Sequence, residues 1–182
     1  MAELENAETL EEKRAALIIK YRDLKVENVK KEDLKIIYQL SKGDRRYIMH
    51  ILLNISTIGI AYVRELRDEI QEAELDGGII VSDGKYTYSA RSNAPDMSIE
   101  LIPSSIPTFD VFEHSLIPLH DIVDEEGRKE LAEKYHAEPY QFPWIKSTDP
   151  VSIIIGAKPG DIVRITQKSE TAGKYDTYRY VV

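Results

Sequence analysis

The chain has no cysteine, which excludes disulfides, thiolate catalysis, iron–sulfur clusters and cysteine-ligated zinc. No apolar run approaches the ~20 residues that a membrane span needs. The opening residues, Met1-Ala2-Glu3-Leu4-Glu5, are acidic where a secretory signal is basic. A soluble, intracellular protein without a membrane partner is expected. A phosphate-cradling loop is missing as well, since Gly77-Gly78 follows a helical pattern and lacks the later glycine, lysine and hydroxyl residue. So is the Gly-x-Ser-x-Gly setting of a serine nucleophile. Positive charge is in deficit: 24 Lys+Arg face 32 Asp+Glu, a net of −8. That sign disfavours a free-standing protein that grips nucleic acid through its global field.

What is present describes a globular chain. Its 182 residues, 42 % hydrophobic and 31 % charged, suit one large or two small domains. Folding at this size buries roughly 70 % of the unfolded surface, so no metal or disulfide staple is required. Charge is unevenly placed. Residues 13–46 hold eleven Lys/Arg against five Asp/Glu, a local +6, whereas residues 65–83 hold one Arg against seven acids. Such alternation is the pattern of solvated faces, and the basic stretch is also the part suited to a polyanion.

Thr9 with Glu12 matches a capping box and starts a helix to Leu24, with Leu10, Leu17, Ile18 and Tyr21 on its inner face. Two strands, Leu34–Leu40 and Tyr47–Leu53, flank a hairpin turn at Ser41-Lys42-Gly43-Asp44. A second helix covers Thr57 to Ala73 with the stripe Val63, Leu66, Ile70 and Ala73, and is stopped by Gly77-Gly78. Ile79-Ile80-Val81 reads as a buried strand. Ser82-Asp83-Gly84-Lys85 is either a hairpin turn before a strand Tyr86–Ser89 or a loop before a helix Thr87–Asn93, and propensity alone leaves both open. A strand Ser98–Ile102 and a proline-punctuated connector, residues 103–107, follow. A boundary between domains 1–110 and 111–182 is placed just beyond. In the second domain Ser115–Val123 reads as a strand broken by Pro118, and Asp124, Glu125 and Glu126 open a helix to Tyr135. A short strand surrounds Trp144. Asp149, Pro150 and Gly156 bracket a two-turn helix, and Lys158-Pro159-Gly160-Asp161 is a type II turn. The closing hairpin, Ile162–Lys168 and Tyr175–Val182, is β-branched and aromatic throughout, so both its faces are expected to be covered.

Two constellations have the residue types for chemistry. His114 and His120 with Asp121 suggest metal ligands, but six positions along a strand span about 20 Å, so a structural role is expected. Asp76, Asp83 and Lys85 have the types of a nuclease site, two carboxylates for a divalent cation and a lysine beside the activated water. Asp83-Gly84 lies where the chain must turn, and the turn is the preferred reading. No cofactor or metal is expected.

The closing blocks read together: His114-x-Leu116-x-Pro118-x-His120, Phe142-Pro143, Asp149-Pro150-Val151, Gly156-Ala157-Lys158-Pro159-Gly160-Asp161-Ile162-Val163, and Lys168-Ser169-x-Thr171-Ala172-Gly173-x-Tyr175-x-x-Tyr178-Arg179. In order and spacing they resemble the small H-type subunit of archaeal RNA polymerase, the counterpart of the fifth, shared subunit of eukaryotic nuclear RNA polymerases. Upstream, Gly78-Ile79-Ile80-Val81, Thr87-x-x-Ala90 and Ile99-Glu100-Leu101-Ile102 resemble the end of the eukaryotic subunit's N-terminal jaw. The resemblance implies an α+β protein: a restriction-endonuclease-like jaw domain without that fold's catalytic residues, then a small mixed α/β assembly domain. It favours the helix at Thr87–Asn93. It implies a non-catalytic component of a DNA-directed RNA polymerase, docked on the largest subunit and neighbouring small subunits, with downstream duplex DNA along the jaw. The compartment would be the cytoplasm, or the nucleus in a eukaryote. Residues 1–60 carry none of the resemblance, and Leu119 and Trp144 stand where the family often has basic residues. From the residues themselves, Lys42, Arg45 and Arg46 at the hairpin tip are candidates for DNA phosphate, and the aromatic Tyr175 and Tyr178 for the partner interface, to which the resemblance adds His120 and Arg179. The remaining readings are the metal-dependent nuclease and a free-standing DNA-binding regulator built on the Lys-Pro-Gly-Asp hairpin.

Overall fold

A computed structural model of the chain describes residues 8–169 and 173–182. Glu3 and Glu5 of the acidic opening and Thr171-Ala172 of the closing motif lie outside them. Helix α1 (Leu10–Tyr21) begins where the capping box dictates: Thr9 Oγ1 accepts from Glu12 N–H, and the Glu12 carboxylate accepts from Thr9 N–H at 3.0 Å. Its apolar stripe differs from the expected one. Leu10 is exposed, while Arg14 is buried with Leu17, Ile18 and Ile19. Arg14 is tolerated because Nε donates to Ile106 O at 2.8 Å and one terminal nitrogen pairs with Asp83 at 2.9 Å.

The helix stops short of Leu24, and an unexpected strand follows, β1 (Lys25–Lys31), exposed along nearly its whole length. Next come β2 (Lys35–Lys42) and β3 (Arg45–Leu52), joined by Gly43-Asp44 alone, so the turn is two residues rather than four. Gly43 leads it with φ +59°, the pattern of a type II′ hairpin. Thr57–Ile58 forms a short strand, β4, rather than the first turn of a helix. Helix α2 (Ile60–Glu72) starts two residues later, buries Val63, Leu66 and Ile70, and leaves Ala73 exposed. Gly77-Gly78 do not end it; the left-handed Glu74 does, and both glycines open β5 (Gly77–Ser82), buried at every position. Of the two alternatives for the next segment the helix forms: α3 (Tyr88–Asn93) is capped by Thr87, and in place of a hairpin strand Tyr86–Ser89 there is only β6 (Lys85–Tyr86), paired in parallel with β4. β7 (Ile99–Ile102) completes a five-stranded sheet of order β1-β2-β3-β5-β7, with β3, β5 and β7 parallel. α2 packs Leu66 and Ile70 on the face carrying Ile48, Leu52 and Ile80. Met49 and Ile51 alternate to the opposite face, where α1 lies against β3 and β5.

Between β3 and α2 lies a buried polar group. His50, 2 % exposed, meets Glu69 at 3.0 Å, and Lys35 pairs with Glu65 at 2.7 Å and Glu69 at 3.6 Å. Burial lowers the His50 pKa below its ordinary 6.5, assisted by Lys35 and opposed by Glu69 and Glu65. The unfolded chain therefore takes up a proton at His50 near pH 6.5 that the folded chain refuses until lower pH. Stability from this group is full above pH 6.5 and falls as pH drops through that value toward the folded pKa. His50→Gln should flatten the decline in urea midpoint between about pH 7 and pH 5. An equally steep decline in the variant would assign the effect to other groups.

The chain divides into two compact units, Met1–Phe109 and Asp110–Val182. The second is built on a four-stranded sheet of order β8-β10-β11-β9: β8 (Leu119–Ile122), β9 (Trp144–Ile145), β10 (Ile162–Ser169) and β11 (Gly173–Val181). The strand expected over Ser115–Val123 is confined to four residues after Pro118. Helix α4 (Glu125–Tyr135) is capped by Asp124, and α5 (Pro150–Ile155) by Asp149 with Gly156 left-handed at φ 80°. The faces of the β10–β11 hairpin are covered only at one end. Ile162, Val163, Ile165 and Val181 are buried, but residues 173–176 are exposed, against the expectation of cover on both sides.

Candidate interaction surfaces

In the C-terminal unit, pairing decides which candidate residues can act together. Along β11, Tyr175, Thr177 and Arg179 alternate with Tyr178 and Tyr180, and His120 lies across from Ile165, itself opposite Thr177. His120, Tyr175 and Arg179 therefore share one face, and Tyr178 faces the other way. Each is held differently. The His120 ring nitrogen Nδ1 sits 2.8 Å from Pro118 O, and its ring lies 6.1 Å from Phe112. The Tyr175 hydroxyl donates to Gln167. Tyr178 is half-buried among Tyr135 and Phe142, ring centroids about 6 Å apart in tilted and edge-on arrangements.

Other exposed residues dominate this surface. Of twelve large hydrophobic side chains exposed among the described residues, eight belong to this smaller unit. Leu116 is 82 % exposed, Trp144 67 %, Tyr140 61 % and Leu119 59 %. Trp144 Nε1 donates to Tyr140 O at 3.1 Å, which fixes the indole with its ring face open. Aromatic rings held in this way, outside any core, are what interface centres use. Their signal in the sequence is the Tyr140-x-Phe142-Pro143-Trp144 cluster, too dense in aromatics for a three-residue turn and a two-residue strand to bury.

In the N-terminal unit the three hairpin cations separate. Lys42 and Arg45 are paired across the turn and exposed. Arg46 instead points along the sheet to the end of α2, donating to Glu74 O at 3.1 Å and Ala73 O at 3.3 Å, while its N–H donates to Asp76 at 2.7 Å. It satisfies the helix's terminal carbonyls.

The nuclease reading fails on the same sheet. Asp76 and Asp83 bracket the six residues of β5, so about 20 Å of extended chain separates them. Asp76 is engaged by Arg46 and Asp83 by Arg14. The two carboxylates cannot share a cation.

The described surface thus has an open aromatic rim on a small sheet unit and a basic hairpin on an α/β unit. Comparison with known proteins gives the chain a family. Residues 109–181 match the family described as RNA polymerase Rpb5, C-terminal domain. The chain is 53 % identical over 74 residues to DNA-directed RNA polymerase subunit Rpo5 of Pyrococcus abyssi, covering 41 % of this chain and 90 % of that one. To Rpo5 of Sulfolobus acidocaldarius it is 46 % identical over 79 residues, 43 % of this chain and 94 % of that one. With subunit RPABC1 of DNA-directed RNA polymerases I, II and III from Caenorhabditis briggsae it shares 34 % identity over 129 residues, 69 % of this chain and 61 % of that one. The chain belongs to the Rpb5/Rpo5 family of RNA polymerase subunits. The last alignment is longer than the whole C-terminal unit and so reaches into the first.

Proposed function

We propose that this chain is a non-catalytic subunit of a multisubunit DNA-directed RNA polymerase, with no active site or cofactor of its own. Its C-terminal unit anchors it to the largest subunit and neighbouring small subunits. The observation that carries this reading is the coincidence of the family match, residues 109–181, with the unit that holds most of the exposed large hydrophobics. A side chain such as Trp144 gains by leaving water, and a rim of such residues is worth several kcal/mol once covered. The N-terminal unit is then the jaw of restriction-endonuclease-like type, lying along downstream duplex DNA. Its workplace is the cytoplasm, or the nucleus in a eukaryote. Purification of the tagged full-length chain from native lysate at moderate salt should recover the catalytic polymerase subunits. Their absence overturns the reading.

Within the jaw, Lys42 and Arg45 serve as sequence-independent phosphate contacts, and Arg46 holds the hairpin on α2. Each neutralised phosphate contributes about 0.9 to the slope of log affinity against log salt. The double variant Lys42→Ala/Arg45→Ala in reconstituted polymerase should therefore flatten the salt slope of downstream DNA retention by about 2. An unchanged slope removes both residues from the DNA path.

A further inference from the structure

Two of the sheet edges among the described residues differ in character. β1, at the rim of the five-stranded sheet, carries Lys25, Glu27, Lys30 and Lys31 and a register break between Val26 and Asn28. Charge and a bulge are the devices that keep an edge from pairing with another chain. β8, at the rim of the C-terminal sheet, has no register break and a single charged side chain, Asp121, which is paired with Arg164. Its exposed side chains include Leu119 and Ile122, one on each face of the strand, and Leu116 precedes it as one of the most exposed side chains among the described residues.

The backbone of β8 is also available. Val123 N–H donates to Ile162 O at 2.8 Å, which sets the phase of the antiparallel ladder with β10. Leu119 and Asp121 then turn their backbone groups inward, and His120 and Ile122 turn theirs outward. No strand of the described residues lies on that outer side, since β8 ends the sheet order. Charge around it is mostly acidic, and the cations beside it, Arg164 and Arg128, are paired with Asp121 and Asp161. From Asp110 to Gly127 the sequence has six acids, Asp110, Glu113, Asp121, Asp124, Glu125 and Glu126, and no lysine or arginine. Asp121 is met by Arg164 at 3.3 Å, whereas Glu113, Asp124, Glu125 and Glu126 stand exposed at the two ends of the strand.

We infer that the outer edge of β8 accepts an extended, basic and apolar segment of a neighbouring polymerase subunit as a fifth strand of this sheet. This rests on the subunit reading above and names the chemistry of one of its contacts. Main-chain bonds at His120 and Ile122 provide the attachment, Leu119 and Ile122 receive apolar side chains, and the flanking acids select a cationic segment. The same acids repel phosphate, which disfavours nucleic acid here, and they repel each other in an edge-to-edge pair of copies.

The test is amide hydrogen exchange over residues 117–124 in the full chain alone and in polymerase reconstituted with it. His120 and Ile122 should exchange freely in the isolated chain and be slowed by about tenfold or more in the assembled enzyme. Incorporation without added protection at these amides overturns the added strand and leaves the subunit reading intact. Failure of the chain to incorporate overturns both. Protection already present in the isolated chain as a dimer overturns it in favour of a second copy. A variant gives an independent reading. Ile122→Pro removes an outward N–H while leaving the β10 ladder, a place where edge strands accept proline. It should lower retention in the polymerase by about tenfold while the melting profile is kept. Parent-like retention of the folded variant counts against the inference, and the exchange measurement decides the matter if the variant does not fold.

Discussion

Replacing Gly84 by alanine is expected to lower the melting temperature of the N-terminal unit by about 10 °C, from about 3 kcal/mol of lost stability. A Cβ at this position would lie 2.1 Å from the Ile55 carbonyl oxygen and 2.6 Å from Ile58 Cδ1. The first neighbour is backbone and cannot rotate aside. It belongs to the segment that β6 pairs with, where Lys85 N–H donates to Ser56 O and Thr87 N–H to Ile58 O. Relieving the clash breaks that pairing, loosens the cap of α3 and shifts Asp83, whose carboxylate partners the buried Arg14. Breaking a buried charge pair is expensive because one charge stays behind unpaired, although the half-exposed Asp83 reduces the effect. Calorimetry of the full chain checks this; a transition within about a degree of the parent's means that the two strands do not approach so closely.

The second large effect concerns assembly instead of stability. Trp144→Ala should weaken incorporation into polymerase by about 30-fold, the ~2 kcal/mol of a typical interface hot spot, with almost no change in melting temperature. The indole is mostly exposed and loses a single hydrogen bond to Tyr140 O. Tyr178→Ala provides the contrast, since its ring is half-buried against Tyr135 and Phe142 and its removal leaves a hole among them. Competition between variant and parent for a limited amount of subunit-depleted polymerase, beside thermal melts of each, separates the two. Equal competition by Trp144→Ala would mean that the exposed rim is not the anchor.

Local chemistry in this chain is readable wherever one residue type enforces one geometry. The Thr9–Glu12 capping box, Asp149-Pro150 with Gly156, and the glycine of the β2–β3 turn all form as their side chains require. β1 is not readable, because four of its seven residues are charged and an edge strand with both faces open has no alternation to show. The inner face of α1 departs from its periodicity at Leu10 and Arg14 for a related reason: the helix buries an arginine that finds partners 69 and 92 residues away, which no local pattern encodes. In sequence Arg46 belongs to a basic tip, and only the end of α2 beside it shows where its guanidinium goes. The separation of Asp76 from Asp83, by contrast, is present in the sequence, since an apolar strand between two carboxylates keeps them apart. For the C-terminal surface the motifs identify the family, while pairing registers are needed to sort His120, Tyr175 and Arg179 from Tyr178.

The place of β5 at the centre of a parallel arrangement has a consequence for biogenesis. Its neighbour β3 precedes it, but its other neighbour, β7, is still held inside the ribosome exit tunnel when Ser82 emerges. At elongation rates of about 5–20 residues per second, the strand Gly77–Ser82 waits roughly 1–4 s with one flank unsatisfied. During that interval the nascent N-terminal unit is at its most adhesive, and slowing elongation while residues 83–102 emerge from the tunnel should raise the share of polypeptide that is captured by chaperones or lost to aggregates.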